Sequence, residues 1–251
     1  MQLTGNTILI TGGASGIGRG LADGFARRGN TVIVTARNQA QLDALARDAP
    51  ELHGLLLDLD EPGSVLALRE KALHRFPNLN SVIANAGIAG REDLTATDWN
   101  LSHAEAMIRV NVMGVIATAE AFLPHLRRQP FATLMVTSSK LAFLPFSAFP
   151  TYCGTKAFLH SWLQSLRHQL RMTGVEVLEL LPPYVATKLT GDAQLTDPRA
   201  IPLDEFVTDV MTILEAGSHA FGEVLVEQAR ADRFAEREGR YDLAFASVNA
   251  A

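Results

Sequence analysis

The 251-residue sequence predicts a doubly wound α/β domain, a parallel sheet of about seven strands with helices on both faces. Two observations predict it. Short apolar runs rich in β-branched residues alternate along the chain with longer stretches of helical period, and the runs are apolar throughout, as strands buried on both faces must be. A glycine-rich turn, Thr11-Gly12-Gly13-Ala14-Ser15-Gly16-Ile17-Gly18, directly follows the first run, where such sheets take their ligands.

The elements follow in order. Thr7-Ile8-Leu9-Ile10-Thr11 reads as the first strand, and residues 16–28 read as the first helix. A second strand at 31–35, a helix at 39–47, a third strand at 55–57 and a helix at 62–75 come next. Ser81-Val82-Ile83-Ala84 is the fourth strand, residues 104–127 read as one long helix, and 132–137 form the fifth strand. A helix at 151–172 leads into the sixth, Val175 to Leu181. Residues 187–203 are polar, carry Gly191, Pro198 and Pro202, and show no period, which marks a substrate lid. Residues 230–251 mix charge with Phe234, Tyr241 and Phe245, a partly helical tail whose aromatics need a surface. No repeat or linker divides the chain, so residues 1–251 are read as one domain.

Composition removes several classes. A single cysteine forbids an intramolecular disulfide framework or a cysteine-built zinc site, and the cytoplasm is the expected location. Lys plus Arg number 22 against 27 Asp plus Glu, a net charge of −5, so neither nucleic acid nor an anionic membrane is an expected partner. No apolar run is read as approaching the ~18 residues of a membrane span, and the N-terminus carries no targeting pattern. The 7 histidines are scattered without metal-ligand spacing, and no metal is expected.

The glycine turn has the chemistry of a phosphate cradle. A pyrophosphate needs close backbone approach and the unpaired N–H groups of a helix N-terminus. Gly12, Gly16 and Gly18 supply tight turn, clearance and helix packing. No Gly-Lys-Ser/Thr follows, so this is not a P-loop. After the second strand, where an NAD-selective site wants a carboxylate, the chain has Thr35-Ala36-Arg37-Asn38. One guanidinium and no acid favour the 2′-phosphate of NADP(H) over NAD(H), with Arg37 and Ser15 as its contacts.

Tyr152 and Lys156 stand four apart at the start of a helix and emerge on one face. Two unit charges ~4 Å apart are worth about 4 kcal/mol at an effective dielectric of ~20. An ammonium so placed is expected to bring a phenol from ~10 to near neutrality, at ~1.4 kcal/mol per pH unit. The spacing recurs at Tyr184 and Lys188, but Tyr184 follows Pro182-Pro183, which opposes a helix, and 13 residues before it is Arg171. The residue 13 before Tyr152 is Ser139, just past the fifth strand.

With Asp58-Leu59 after the third strand, Asn85-Ala86-Gly87 after the fourth, Asn111, Ser139 and Tyr152-x-x-x-Lys156, the chain from about Thr4 to Glu227 resembles the short-chain dehydrogenase/reductase family, a Rossmann-type fold. Leu3-Thr4-Gly5-Asn6-Thr7 and Leu166 to Arg171 also look like its DltE-like subgroup. The resemblance implies Tyr152 as proton donor or acceptor for a carbonyl/alcohol pair. Ser139 would bond the same oxygen, Lys156 would hold the nicotinamide ribose, and Asn111 would anchor a relay water. It implies Asp58 and Leu59 at the adenine, Asn85 and Gly87 at the adenosine ribose, and Val185 and Thr187 at the carboxamide, beside the turn residues Gly12, Ser15, Gly16, Ile17 and Gly18. Structural readings stand beside these: Asn111 as a kink, Asp58 as a strand end, Thr187 as a turn.

Two departures bear on the resemblance. Ala84 and Pro183 stand where many members have Asn and Gly, and Pro183 fixes φ at the nicotinamide-side loop. Lys140 follows Ser139, as a solvated loop residue or a contact for an acidic substrate. Phe143, Phe146 and Tyr184 are expected to line an apolar substrate pocket. The reading is an NADP(H)-dependent oxidoreductase that interconverts a carbonyl and a secondary alcohol on a small-molecule substrate, assembled as a homodimer or homotetramer. The alternatives are a carrier-linked 3-oxoacyl reductase, for which Arg127-Arg128 is the one basic docking patch, and a catalytically silent NADP-binding regulatory protein.

Overall fold

The computed structural model describes residues 1–250. Strands and helices alternate: β1 (Thr7–Ile10), α1 (Gly16–Ala26), β2 (Thr31–Ala36), α2 (Gln39–Asp48), β3 (His53–Leu56), α3 (Ser64–Arg75) and β4 (Ser81–Ala84). Then come α4 (Ser102–Ile108), a π-helical turn at Arg109–Met113, α5 (Gly114–Leu126), β5 (Ala132–Thr137), α6 (Pro150–Leu170) and β6 (Val175–Leu181). The last part holds α7 (Leu203–Ala216), β7 (Glu223–Leu225), α8 (Glu227–Arg233) and α9 (Tyr241–Val248).

All pairings are parallel, in the order β3-β2-β1-β4-β5-β6-β7. The chain winds outward from β1 to β3, returns to β4, and winds the other way, so the crevice lies above the carboxyl ends of β1 and β4. Alternate strand residues feed two cores. Ile8, Ile10, Val32 and Leu180 pack with Phe25 of α1 and Phe206 and Val210 of α7 on one face. Leu9, Val82, Leu134 and Val177 pack with Phe122 of α5 and Leu159 and Leu163 of α6 on the other.

Three sequence expectations change. The helix expected over 104–127 is interrupted by the π turn, which centres on buried Asn111. The stretch Ser102–Leu126 is long and apolar enough to span a membrane by length and composition, contrary to expectation; half of its most apolar window is buried, because α5 carries one face of the core. Residues 187–203 hold a short 3₁₀ helix, Asp192–Thr196, organised by buried Gln194, which donates to the Val185 carbonyl at 2.7 Å. β7 and α7 had no assignment from sequence, because a three-residue strand carries too little pattern and α7 begins at the end of the polar stretch.

Candidate active site

The turn between β1 and α1 is built by close approach. Gly12 has φ +64°, and its N–H donates to Thr35 Oγ1 at 3.0 Å. A Cβ on Gly18 would lie 2.5 Å from the Gly12 carbonyl oxygen and 2.6 Å from Asn85 Nδ2, so only glycine lets α1 start this close to the sheet. Ser15 is the N-cap in extended conformation, with no side-chain bond to the helix and no acid in the first turn. The N–H groups at the start of α1, including Ile17, therefore face the crevice unopposed by negative charge. Thr187 is buried and leans over Gly16, at 3.6 Å from where a Cβ would stand, and Val185 is buried beside it, bridged to Ile201. These features fit a pyrophosphate.

Asn85 is a staple between strand ends. Its N–H donates to Thr11 Oγ1 at 2.9 Å, its Nδ2 to the Thr11 carbonyl at 3.2 Å, and its Oδ1 accepts from Thr137 at 3.1 Å. Contact with a ribose therefore falls largely to the backbone around it. Asp58 takes the Asp60 N–H on Oδ1 at 3.0 Å and donates its own N–H to Ser64 at 3.0 Å, while Leu59 packs against Gly114. Arg37 is exposed just past β2 and, among the described residues, is held only through its backbone N–H to Gln41 at 3.2 Å.

Asn111, Ser139, Tyr152 and Lys156 converge, and all are buried. Asn111 Oδ1 accepts the Ile88 N–H at 2.9 Å; its Nδ2 donates to the Ile88 carbonyl at 2.9 Å and to Thr155 at 3.2 Å. The kink reading of Asn111 and its place in the site are thus one fact: the π turn carries it inward. Gly87 lies against Asn111 and Lys156, since a Cβ there would be 3.2 Å from Asn111 Oδ1 and 3.8 Å from Lys156 Nζ. The Ser139 side chain, whose Oγ accepts the Leu141 N–H at 3.1 Å, acts on the Tyr152 phenol, and the Lys156 ammonium donates to the Thr137 carbonyl at 2.8 Å.

The electrostatics correct the expected tuning. Burial pushes the Tyr152 phenol well above its ordinary value, and the Ser139 side chain only partly offsets it. Lys156 is itself stripped of water, which pulls its ammonium down to about 8, with the Glu179 charge acting the other way. Its Nζ sits 5.5 Å from the centre of the Tyr152 ring, turned to Thr137 rather than to the hydroxyl. Desolvation is the dominant effect on both groups.

The aromatics divide. Phe146 packs on Phe149 at 5.6 Å between ring centres, in a cluster with Tyr152, Cys153 and Met107. Phe143 turns toward α6 and α8 instead, edge-on to His160 at 4.5 Å and under the Arg233 guanidinium at 4.2 Å. Tyr184 donates to Asp197 at 3.3 Å. Lys140 forms an ion pair with Asp232 of α8 at 2.6 Å, so it is neither of the two things its sequence position suggested.

Two residues escaped sequence reasoning. Glu92 accepts from the Thr151 N–H and hydroxyl, both at 2.9 Å, and so caps the helix that carries Tyr152; nothing in the sequence pairs residues 59 apart. Glu179 is fully buried in β6 beside His160. Its signal was visible as a carboxylate in an otherwise apolar stretch, Val177-Leu178-Glu179-Leu180-Leu181.

Comparison with known proteins agrees with this geometry. The family model for short chain dehydrogenase matches residues 6–197. The chain is 38% identical over 252 residues to the uncharacterized oxidoreductase DltE of Bacillus subtilis, covering 99% of this chain and 98% of that protein. A short-chain dehydrogenase from Sphingobium yanoikuyae in complex with NADPH matches with a TM-score of 0.78 at 26% identity, over 95% of this chain and 94% of that one. A short chain dehydrogenase/reductase from Burkholderia phymatum in complex with NAD shares the fold, with a TM-score of 0.79 at 21% identity over 96% and 97% of the two chains. Glycine turn, buried Ser-Tyr-Lys cluster and near full-length likeness coincide, and the chain belongs to the short-chain dehydrogenase family of oxidoreductases.

Proposed function

We propose that this enzyme interconverts a carbonyl and a secondary alcohol on a small, partly apolar molecule, with NADP(H) favoured over NAD(H). The observation that carries this reading is the burial of Ser139, Tyr152 and Lys156 together at the carboxyl edge of β5, beside a turn shaped for a dinucleotide. The bound nicotinamide supplies or accepts the hydride. Tyr152, whose phenol burial keeps protonated, gives its proton to the carbonyl oxygen in reduction and is left as phenolate, and that phenolate is the group that takes the alcohol's proton in the reverse step. Ser139 bonds the same oxygen and orients it. Lys156, charged below about 8, stabilises the phenolate left behind and is placed to hold ribose hydroxyls. Asn111 Oδ1 keeps a second lone pair beyond its bond to Ile88, enough to hold a relay water. Arg37 and Ser15 are assigned to the 2′-phosphate, Asp58 and Leu59 to the adenine side, Val185 and Thr187 to the carboxamide side, and Phe146 and Tyr184 to the substrate wall. Exposed Ile108, Met113 and Phe158 on the helices around the site support assembly as a homodimer or homotetramer.

Carrier-linked reduction is disfavoured by position. Arg127 and Arg128 follow α5 and precede β5, at the amino edge of the sheet, opposite to Ser139. The test is steady NADPH oxidation with a panel of ketones and aldehydes, in wild type and Tyr152→Phe. Wild type is expected to turn over; the variant is expected to lose at least ~100-fold in rate while binding NADPH as tightly. Turnover retained by Tyr152→Phe, or none by wild type on any carbonyl, refutes the reading.

A further inference from the structure

We propose that Glu179 is a positioning residue for this reaction: a buried counter-charge that keeps Lys156 an ammonium and is itself fixed by His160. The proposal rests on the reading of Tyr152 and Lys156 given above.

Glu179 occupies a position where a central parallel strand ordinarily carries an aliphatic side chain. It shares a sheet face with Val175 and Val177, which pack on Leu159, Leu163 and Leu166 of α6. The carboxylate is 0% exposed. One oxygen accepts from His160 Nδ1 at 2.8 Å; the other, Oε1, has no hydrogen-bond partner among the described residues. A carboxylate left half-unpaired in a core is destabilising, so its retention calls for a compensating role.

The placement supplies one. Lys156 and His160 stand one turn apart on the same face of α6. The first reaches the carbonyl of Thr137 on β5, and the second reaches Glu179 on β6. Glu179 pairs in register with Val136, the residue before Thr137, so it stands on the sheet face that α6 covers, one strand over from the carbonyl that holds the ammonium. Its field opposes the effect of burial on Lys156.

Every charged group packed around it fits this assignment. From α6 come Lys156, His160 and Arg167; Arg167 Nε is tied to the Val177 carbonyl at 3.0 Å and feels Glu179 and Glu223. From β7 comes Glu223, and from α8 comes Arg233, which donates to both Glu223 oxygens at 2.8 and 2.7 Å. Lys140 in the loop after β5 is paired with Asp232. His160, Glu179 and Glu223 bring donor atoms within 4.8 Å of one another, as a metal site would. Arg233 already fills the cation's place on Glu223, and two guanidiniums beside a divalent ion would repel it. Glu223 is therefore satisfied from α8, which leaves Glu179 as the carboxylate facing Lys156.

The experiment compares wild type with Glu179→Gln, which keeps shape and removes charge. Two readouts are followed from pH 6 to 10: kcat/KM for ketone reduction and NADPH affinity by fluorescence. The expected result is that the alkaline limb of both profiles moves down by roughly one pH unit, while kcat at pH 6 stays within about threefold of wild type. Glu179→Asp, which withdraws the charge by one methylene, is expected to fall between the two. A uniform loss at all pH values with the limb unmoved would show a structural role only and overturn the proposal. If the Gln variant does not fold, an unmoved limb in Glu179→Asp overturns it equally. Failure here with Tyr152→Phe inactive sinks this inference alone; activity in Tyr152→Phe sinks the catalytic reading beneath it.

Discussion

Lys156 is the residue where function and stability pull apart most clearly. Its ammonium is 4% exposed and held near 8 by burial, against 10.5 in water. At about 1.4 kcal/mol per tenfold, keeping it charged in the fold at neutral pH costs about 3 kcal/mol. The folded state holds the proton less tightly than the unfolded chain, so this cost is complete below about pH 8 and fades as pH rises towards 10.5. Lys156→Met is therefore expected to be inactive, and its stability relative to wild type is expected to be higher at pH 7 than at pH 9.5 by ~1–3 kcal/mol, since only wild type sheds the cost as pH rises. Urea unfolding of both proteins at pH 7 and 9.5 checks this; a stability difference that does not change between the two pH values contradicts it. Lys156, Tyr152 and Ser139 were legible in sequence because the Tyr-x-x-x-Lys pair has a serine 13 residues before it, just past the fifth strand, and together they resemble the family's pattern. The partners of Glu179, Glu92 and Asn249 were not, because they lie 19, 59 and 102 residues away and no local period announces the pairing.

At the scale of elements, the strands and most helices were readable because buried parallel strands and amphipathic helices impose periods, whereas the π turn and the tail answer to tertiary contacts. Asn111 must reach the backbone on both sides of Ile88, and an unbroken α-helix over 104–127 would aim it elsewhere. The tail finds its surface on the segment that follows Ser139. Asn249 accepts from the Ser147 N–H at 2.6 Å and donates to the Pro145 carbonyl at 3.1 Å, while Asp232 and Arg233 hold Lys140 and Phe143. α9 buries no residue of its own, so it contributes little to global stability. Ending the chain after Arg240 is expected to leave unfolding within about 1 kcal/mol of wild type and NADPH affinity unchanged. KM for carbonyl substrates is expected to rise roughly five- to tenfold, about 1 kcal/mol. Steady-state kinetics and amide exchange over residues 143–149 measure it, and an unaltered KM shows that α9 does not support the segment that carries Phe146.

Across the whole molecule, the sheet order places each end of the crevice. Arg37 leaves β2 on one side of the glycine turn, and Ser139 leaves β5 on the other. β2 and β5 are three strand spacings apart, about 14 Å, a span suited to an extended dinucleotide with its phosphates at the N-terminus of α1. With a cofactor so laid, Arg37 would stand at the adenosine ribose and Tyr152 at the reactive ring. No carboxylate ends β2 to bond the ribose hydroxyls, while the exposed guanidinium has only its backbone engaged, through Gln41. The charge at this distant corner is therefore expected to select the cofactor without touching the chemistry. Wild type should favour NADPH over NADH in kcat/KM. Arg37→Ala should lower the value for NADPH by ~10- to 100-fold, the worth of charge-assisted bonds to one phosphate, and leave NADH within about twofold. A wild type that prefers NADH, or a variant that loses both cofactors equally, would show that Arg37 is a solvated turn residue and that selection lies elsewhere along the edge.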